Sequence, residues 1–305
     1  MTRFGLHIGL QDTDPAAVLA LAAAAEDRGF DWVSVWDHFV SVSPVDGGSL
    51  EAVAMHAALA TATIRVRCGV LVYCAAYRHP GVLAHAAATV DLLSGGRAEI
   101  GLGAGWSERE YAAFGLRFAP PGERMDLLEE SVQCVRELLH TEKVDFEGRF
   151  FRLSAASTQP RPAQAAVPIW IGGAGERRTL PIAARYADGW NAPFLSVEEF
   201  GRKHALLTDL CAAAGRCGAV RSAANIGYAP DDAAIAQHFG TLPAAQRQAG
   251  TGVVRGRCGA ELAEGLARYV EAGADQINIA VRAPFDRRAL DVVGEAVAAG
   301  VRRTP

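Results

Sequence analysis

The 305-residue chain lacks the features that mark several large classes of protein. Its formal net charge is only -4, so it has none of the excess of lysine and arginine that a nucleic-acid-binding domain carries. It also has no apolar run of about 18 residues and no signal-peptide pattern at Met1–Phe4. We therefore expect no nucleic-acid partner, no membrane association and no export.

The six cysteines are scattered and form no Cys-x-x-Cys pair. No spacing of histidine and cysteine resembles a zinc motif, so we expect no metal. Because 50% of the residues are hydrophobic, the chain can bury a large core without disulfides, and reduced thiols are typical of a cytoplasmic protein. A Gly-x-Ser-x-Gly elbow is also missing, and no cysteine has a base nearby in sequence, so a serine or cysteine hydrolase is not predicted.

Short apolar runs alternate with helical patterns along the whole chain, which is typical of strands followed by helices. The predicted strands are 5–10, 32–36, 66–73, 97–102, 168–171, 189–191, 223–228 and 276–281. The predicted helices are 15–28, 50–61, 80–93, 122–140, 176–186, 197–214, 260–272 and 286–301. This alternation predicts a (β/α)8 TIM barrel as one domain over residues 1–305. A doubly wound sheet is the alternative, but strand one ends in Gly9-Leu10-Gln11-Asp12 without a dinucleotide fingerprint.

One segment departs from this repeat. Lys143 to Leu153 has the pattern of a hairpin with Glu147-Gly148 as its turn, and a loop from Ala155 to Ala166 follows. The segment precedes strand five, so we predict an insertion there, on the upper face of the barrel, where it forms a lid.

Two glycine-rich loops follow predicted strands. Gly103-Ala104-Gly105, with Trp106 next, and Gly172-Gly173-Ala174-Gly175 have almost no side chains, which lets a ligand approach the backbone. Barrels place their sites at this carboxyl end of the strands. The second loop opens a predicted helix, whose free N–H groups suit a phosphate. The alternative reading is a tight turn that serves only helix–strand packing.

Strand two ends in Asp37-His38. An imidazole exchanges a proton near pH 7, and a neighbouring carboxylate raises its basicity, so this pair is a possible acid–base site. The alternative is a helix cap beside a polar rim residue. Tyr73 and Trp106 stand at the ends of strands three and four; their rings either stack on a flat ligand or fill the core.

Several motifs together resemble the luciferase-like monooxygenase superfamily, most closely its branch of oxidoreductases that depend on the deazaflavin coenzyme F420. The match is dense over residues 4–195 and looser over 262–275. The motifs are Glu26-Asp-Arg-Gly-Phe-Asp-Trp-Val-Ser-Val-Trp-Asp-His38, Tyr77-Arg-His-Pro80, Asp91-Leu-Leu-Ser-Gly-Gly-Arg97, Gly101-Leu-Gly-Ala-Gly-Trp106, Ile171-Gly-Gly-Ala-Gly-Glu-Arg-Arg-Thr-Leu180 and Ala183-Ala-Arg-Tyr-Ala-Asp-Gly-Trp-Asn191.

The resemblance implies an enzyme that transfers a hydride between F420, bound along the barrel mouth, and a small organic substrate. It implies His38 as the acid or base and Asp37 as its orienting partner or as a cofactor contact. It also implies a bulge, often with a non-prolyl cis peptide, around Gly69-Val70-Leu71. The implied cofactor-binding residues are Asp37, Gly69, Val70, Leu71, Tyr73, Gly103, Ala104, Gly105, Trp106, Gly172, Gly173, Ala174 and Gly175.

Two alternatives share this fold: an FMN-dependent monooxygenase that uses reduced flavin and oxygen, and a flavin-binding protein without catalysis. Members that act on sugar phosphates carry a glutamate where Trp106 stands, which argues against that reaction.

Relatives often form homodimers, so a homodimer is expected. Arg282, after strand eight, either grips a substrate carboxylate or pairs with Asp286, and we favour the latter.

Overall fold

The computed structural model describes residues 2–41, 47–231, 233–234 and 252–299. Its strands are β1 Arg3–Ile8, β2 Trp32–Val35, β3 Arg67–Cys74, β4 Ala98–Gly103, β5 Val144–Glu147, β6 Arg152–Ala156, β7 Ile169–Gly172, β8 Gly189–Pro193, β9 Arg221–Ala229, β10 Val253–Arg255 and β11 Gln276–Val281. Its helices are α1 Pro15–Asp27, α2 Ala52–Ala62, α3 Pro80–Leu93, α4 Glu108–Ala113, α5 Pro121–His140, α6 Thr179–Tyr186, α7 Val197–Ala213, α8 Gly259–Glu271 and α9 Arg287–Ala298.

Parallel pairing runs β1-β2-β3-β4-β7-β8-β9-β11 and returns to β1, which closes the barrel. The predicted (β/α)8 fold and its eight strands are confirmed. The short strand β10, which pairs with the end of β9, and helix α4 were not predicted. The predicted end of the last helix at Val301 lies outside the described residues. None of the helices in the described ranges is long and apolar enough to cross a membrane.

Local sequence signals explain where helix α3 begins and ends. Pro80 occupies its first turn, and the His79 side chain accepts a hydrogen bond from the Gly81 amide at 3.1 Å. The helix is followed by Gly95 and Gly96 with φ of 65° and 87°, a left-handed conformation that glycine adopts without a Cβ penalty. The chain is thereby turned directly into β4.

The Asp91–Arg97 motif has a structural role at the lower end of the barrel, where the strands begin. Arg97 donates to the carbonyl oxygens of Ala60, Thr63 and Val66 at 2.6 to 2.8 Å. Asp91 is buried and accepts from the backbone and side-chain amides of Gln164. These contacts fasten the loops that enter β3, β4 and β7, on the side of the barrel away from its mouth.

The predicted hairpin before strand five of the barrel is confirmed as the antiparallel pair β5–β6. Its turn packs on α5, because Glu130 accepts hydrogen bonds from the amides of Arg149, Phe150 and Phe151. The Phe151 ring also meets His79 at 5.3 Å, at the start of α3. The hairpin therefore flanks the helix layer, and the prediction of a lid over the upper face is wrong.

The barrel axis is filled below its mouth by two layers of side chains. In the lowest layer, buried Glu99 pairs with Arg3 and Arg67, with Arg221 at 3.7 Å. Trp170 donates its indole N–H to Glu99 at 2.5 Å. Above them the rings of Trp170 and Trp32 meet edge to face at 6.0 Å. These layers close the axis from below. The cleft at the strands' carboxyl ends, which we call the mouth, therefore has a floor.

Candidate functional site

The floor of the mouth is formed at an irregularity in β3. The register of β3 against β4 shifts between Val70 and Tyr73, and the Leu71–Val72 peptide bond is cis. The predicted bulge with a non-prolyl cis peptide is confirmed, one residue further along than its expected position. Leu71 packs in the interior beside the two tryptophans, and Val72 lies on top of them.

Glycines surround the Val72 side chain on two neighbouring strands. A Cβ atom on Gly103 would lie 2.5 Å from Cγ2 of Val72, and one on Gly172 would lie 2.7 Å from its Cγ1. A Cβ on Gly101 would be 2.8 Å from the same Cγ1. Such distances are impossible for real side chains, so these positions require glycine. They leave a floor that is flat and without side chains on the β4 and β7 sides.

His38 stands at the end of β2 and is held by a residue that we did not predict. Its Nδ1 lies 2.8 Å from Oε2 of Glu110, which is buried at the start of α4. The same carboxylate accepts from the hydroxyl of Tyr77 at 3.0 Å and from the amides of Phe39 and Val40. Burial alone would raise the pKa of Glu110, but the hydrogen bond and the charge interaction with His38, together with the two backbone hydrogen bonds, outweigh it and lower the pKa to about 2.

Asp37 points away from this pair. Its carboxylate accepts from the Cys74 amide at 2.9 Å and from the guanidinium of Arg78 at 2.6 and 3.0 Å. Arg78 also pairs with Glu51, which precedes α2. Asp37 therefore ties β2 to the end of β3, and the orienting partner expected for His38 is Glu110 instead.

Trp106 lies beside His38 at the mouth, with ring centroids 5.4 Å apart, and 47% of it is exposed. Ala104 and Gly105 connect it to the floor. Gly105 has φ of 74°, and a Cβ there would lie 2.2 Å from the Tyr111 hydroxyl. The loop therefore needs glycine for its backbone conformation as well as for close packing.

Three predicted cofactor contacts lie away from the mouth. Tyr73 is buried behind the sheet, where its hydroxyl lies 3.0 Å from Nδ1 of His56 on α2. Val70 faces the helix layer and belongs to the main core. A Cβ on Gly69 would lie 2.6 Å from the Trp32 ring, which places Gly69 below the floor. Of the residues predicted in β3, Leu71 comes nearest, and Val72 is the one at the floor.

The second glycine loop is less regular than predicted, because α6 begins at Thr179 and not at residue 176. The Gly173 amide donates to Asn191 O at 3.2 Å. Within the described residues, the amides of Ala174 and Gly175 donate no hydrogen bond, which leaves them for an anion. Arg178 forms salt bridges with Asp126 and Glu129 on α5.

Two amide side chains of the upper interior also have unpaired atoms. The side-chain oxygens of Asn191 on β8 and Asn225 on β9 are buried and have no partner in the described chain. Asn191 lies in register with Gly172, next to the floor. Unpaired buried amides are costly, so a ligand with hydrogen-bonding edges suits this part of the mouth. The bare floor, the free loop amides and these side chains together fit a flat ring that carries a phosphate.

On the other side of the mouth lies a cluster that the sequence did not reveal as a unit. His7 on β1 lies 2.8 Å from the Ser34 hydroxyl on β2 and 5.0 Å from the Trp36 ring. Burial and the positive charge of Arg282 lower the pKa of His7 to about 3, so its imidazole is neutral at pH 7. Trp36 in turn donates its indole N–H to Gln11 at 2.5 Å.

Glu110 should also stabilise the fold in a pH-dependent way. Because its pKa in the folded chain is about 2, below the ordinary 4.5, its ionised form stabilises the protein above about pH 4.5. This contribution is lost as the pH falls towards 2. We expect Glu110→Gln to lower the free energy of unfolding by about 2–3 kcal/mol at pH 7 and by less at pH 3. Urea unfolding of both proteins at each pH measures the difference.

Glu108→Gln is the matched control for this experiment. Glu108 is an exposed residue of the same helix, so the substitution makes the same change of charge without touching His38. Its effect should stay within about 0.5 kcal/mol at every pH. A difference between wild type and Glu110→Gln that did not change with pH would contradict the assigned role of Glu110.

The chain matches a family model over most of its length and curated relatives over part of it. The family model described as luciferase-like monooxygenase matches residues 1–300. The F420-dependent glucose-6-phosphate dehydrogenase of Nakamurella multipartita is 36% identical over 217 residues, which are 71% of this chain and 61% of that protein. The corresponding protein of Amycolatopsis mediterranei is 35% identical over 188 residues, 61% of this chain and 55% of its own length. The match thus spans less than two thirds of these curated relatives.

Solved structures share the fold over nearly the full chain. An F420-dependent secondary alcohol dehydrogenase in complex with an F420–acetone adduct superimposes with a TM-score of 0.87 at 23% identity, covering 99% of each chain. The coenzyme F420-dependent tetrahydromethanopterin reductase of Methanopyrus kandleri gives a TM-score of 0.80 at 20% identity, again over 99% of each chain. At these identities the likeness establishes the barrel fold alone.

Proposed function

This chain belongs to the luciferase-like monooxygenase family, and on that premise we propose that it is an oxidoreductase that transfers a hydride between coenzyme F420 and a small organic substrate. The observation that carries the proposal is the pairing of His38 with Glu110 beside a bare floor at the mouth. Relatives named as F420-dependent dehydrogenases support the choice of cofactor.

The residues of the mouth would hold F420 in three ways. Val72 and the glycines around it would support the flat ring, and the free amides of Ala174 and Gly175 would bind the phosphate. The amides of Asn191 and Asn225 would serve the polar edge of the ring. When bound, F420 supplies or accepts a hydride at position 5 of its ring.

His38 is the group that we assign to proton transfer. An ionised carboxylate has no proton to give, so Nδ1 of His38 must donate to Glu110 in this hydrogen bond. Nε2 has no partner among the described residues, and with the proton on Nδ1 it is the ring atom that carries the lone pair. It would take a proton from a substrate hydroxyl on oxidation and return it to the oxygen on reduction. Glu110 is the positioning residue that fixes this tautomer.

The substrate that we propose is not a sugar phosphate. Trp106 stands at the place where family members that act on sugar phosphates carry a glutamate, and its indole lies against His38. The ring would narrow the mouth beside the acid–base group and offer an apolar surface to the substrate.

A binding titration with oxidised F420 and, separately, with FMN tests the choice of cofactor. We expect F420 to bind at least about tenfold more tightly. Ala174→Asp places a carboxylate at the loop assigned to the phosphate and should weaken F420 binding by about tenfold or more through charge repulsion. The control Ala166→Asp adds the same charge at an exposed position near the lower end of β7 and should change the affinity less than about twofold.

Tighter binding of FMN would overturn the proposal and indicate the oxygen-using branch of the family. If Ala174→Asp and Ala166→Asp had equal effects on F420 binding, the phosphate would have to bind elsewhere, although the choice of cofactor would stand.

A further inference from the structure

Arg282 follows β11 on the interior side of the barrel and has no anionic partner among residues 2–41, 47–231, 233–234 and 252–299. Its guanidinium lies over the Trp36 ring, 4.9 Å from the centroid. It makes no hydrogen bond and no ion pair within the described residues. The salt bridge with Asp286 that we favoured from sequence is wrong, because the Asp286 side chain caps α9 by accepting from the Arg288 amide.

The described residues around Arg282 include none that compensates its charge. His7 is neutral, the Ser34 hydroxyl is uncharged, and the indole N–H of Trp36 is taken by Gln11. Burial lowers the pKa of Arg282, and no carboxylate opposes this effect. A desolvated cation without a partner destabilises a fold, and proteins normally pair such groups.

Other arginines of the barrel show the usual arrangement. Arg3 and Arg67 pair with Glu99 in the lowest layer of the axis, and Arg78 forms a two-pronged pair with Asp37. Arg282 differs in that an aromatic face supports its guanidinium from one side, while its N–H donors meet no acceptor in the part of the chain that the structure describes. Such a guanidinium is preorganised for a planar oxyanion, to which it can donate two parallel hydrogen bonds.

The geometry points to a carboxylate or similar oxyanion of the substrate as the missing partner, so we infer that Arg282 is the substrate-anion receptor of the mouth. This inference rests on the proposed function, since it deepens the specificity of the same site. It defines the substrate class as an alcohol or carbonyl compound that carries an anionic group.

The position of Arg282 favours the substrate over the phosphate of F420 as the source of this anion. Arg282, His7 and Trp36 come from the neighbouring strands β11, β1 and β2. The loop at Gly172–Gly175 follows β7, across the barrel from them. His38, in contrast, follows Trp36 by two residues at the end of β2. An anion on Arg282 is therefore on the same side as the group assigned to proton transfer.

Calorimetric titration of the F420-loaded protein with paired probes tests the inference. The probes are acetate against acetamide and benzoate against benzamide, which differ in charge but hardly in shape. We expect at least one carboxylate to bind about tenfold or more tightly than its amide. Arg282→Met, which keeps the apolar stem, should abolish this preference, and Arg282→Lys should restore part of it because its charge remains without the planar fork.

A second arm identifies the source of the anion. Binding of full-length F420 and of a truncated deazaflavin without phosphate is measured for wild type and Arg282→Met. We expect affinities within about threefold for both ligands. A loss of F420 affinity of about tenfold that the truncated cofactor does not show would assign Arg282 to the cofactor tail and overturn the inference.

Equal binding of acid and amide in all pairs would also overturn it. The same titrations with cofactor-free protein keep this test separate from the proposed function. If F420 fails to bind but the carboxylate preference and its loss in Arg282→Met persist, the anion receptor stands and the cofactor assignment fails. If F420 binds and the carboxylate preference is absent, the cofactor assignment stands and the anion receptor fails.

Discussion

Replacing His38 with alanine is expected to lower the rate of hydride transfer by about 10²–10⁴-fold and to leave F420 affinity within about threefold. The rate falls because the substrate oxygen then has no group to exchange its proton with. Affinity persists because the floor at Val72 and the amides of the Gly172–Gly175 loop are untouched. The fold should hold as well, since Glu110 keeps its bonds from the hydroxyl of Tyr77 and from two backbone amides.

The measurement is the single-turnover change in deazaflavin absorbance with a panel of secondary alcohols, aldehydes and carboxylate-bearing analogues. His85→Ala is the matched control, because His85 is an exposed residue of α3 outside the mouth. Added imidazole should restore part of the lost rate in His38→Ala and have no effect on the control. Unchanged turnover in His38→Ala would remove His38 from the mechanism.

Replacing Glu99 with alanine is expected to lower the free energy of unfolding by about 3 kcal/mol, the largest stability effect that the structure predicts. The substitution removes the carboxylate that pairs with Arg3 and Arg67 and lies 3.7 Å from Arg221, and it removes the acceptor of the Trp170 indole. The effect falls at the lower end of the usual range, because these arginines keep some hydration at the open lower end.

Chemical denaturation measures this loss, with Glu142→Ala as the control for an exposed glutamate. A double-mutant cycle makes the test more specific. Arg221→Met should restore part of the stability of Glu99→Ala by removing one of the mutually repelling charges, whereas it should slightly destabilise the wild type. A loss below about 1 kcal/mol in Glu99→Ala, or no coupling with Arg221, would show that the cluster does not stabilise the barrel.

The sequence was sufficient for the barrel because each strand and helix carries its own periodicity. His38 and the glycine loops could be proposed as parts of the candidate site from the sequence, because they stand at strand ends, which barrels bring together. Glu110 could not be predicted from the sequence, although it lies in the first turn after a glycine loop. Its contact with His38 joins residues that are 72 positions apart. Nothing local distinguishes it from Glu108, which is exposed.

Tyr73 illustrates a second limit, set by strand parity. Arg67, Gly69 and Leu71 face the interior, so strict alternation would place Tyr73 there too. The bulge brings Val72 inward as well and turns Tyr73 towards α2. One irregular residue in β3 thus decides that Val72, and not Tyr73, reaches the mouth. The hydrophobic pattern of the sequence cannot reveal this, because Leu71, Val72 and Tyr73 are all apolar or aromatic.

The packed indoles of Trp32 and Trp170 affect the order in which ligands can bind to the site and leave it. Since they and the Glu99 cluster fill the axis below Val72, the described barrel has no exit at its lower end, so a ligand on the floor should leave through the opening by which it entered. A planar ligand that lies on the floor is then covered by the next one to arrive, so the first molecule in is the last one out. Steady-state kinetics should therefore follow an ordered sequence in which substrate and product exchange over a cofactor that stays behind.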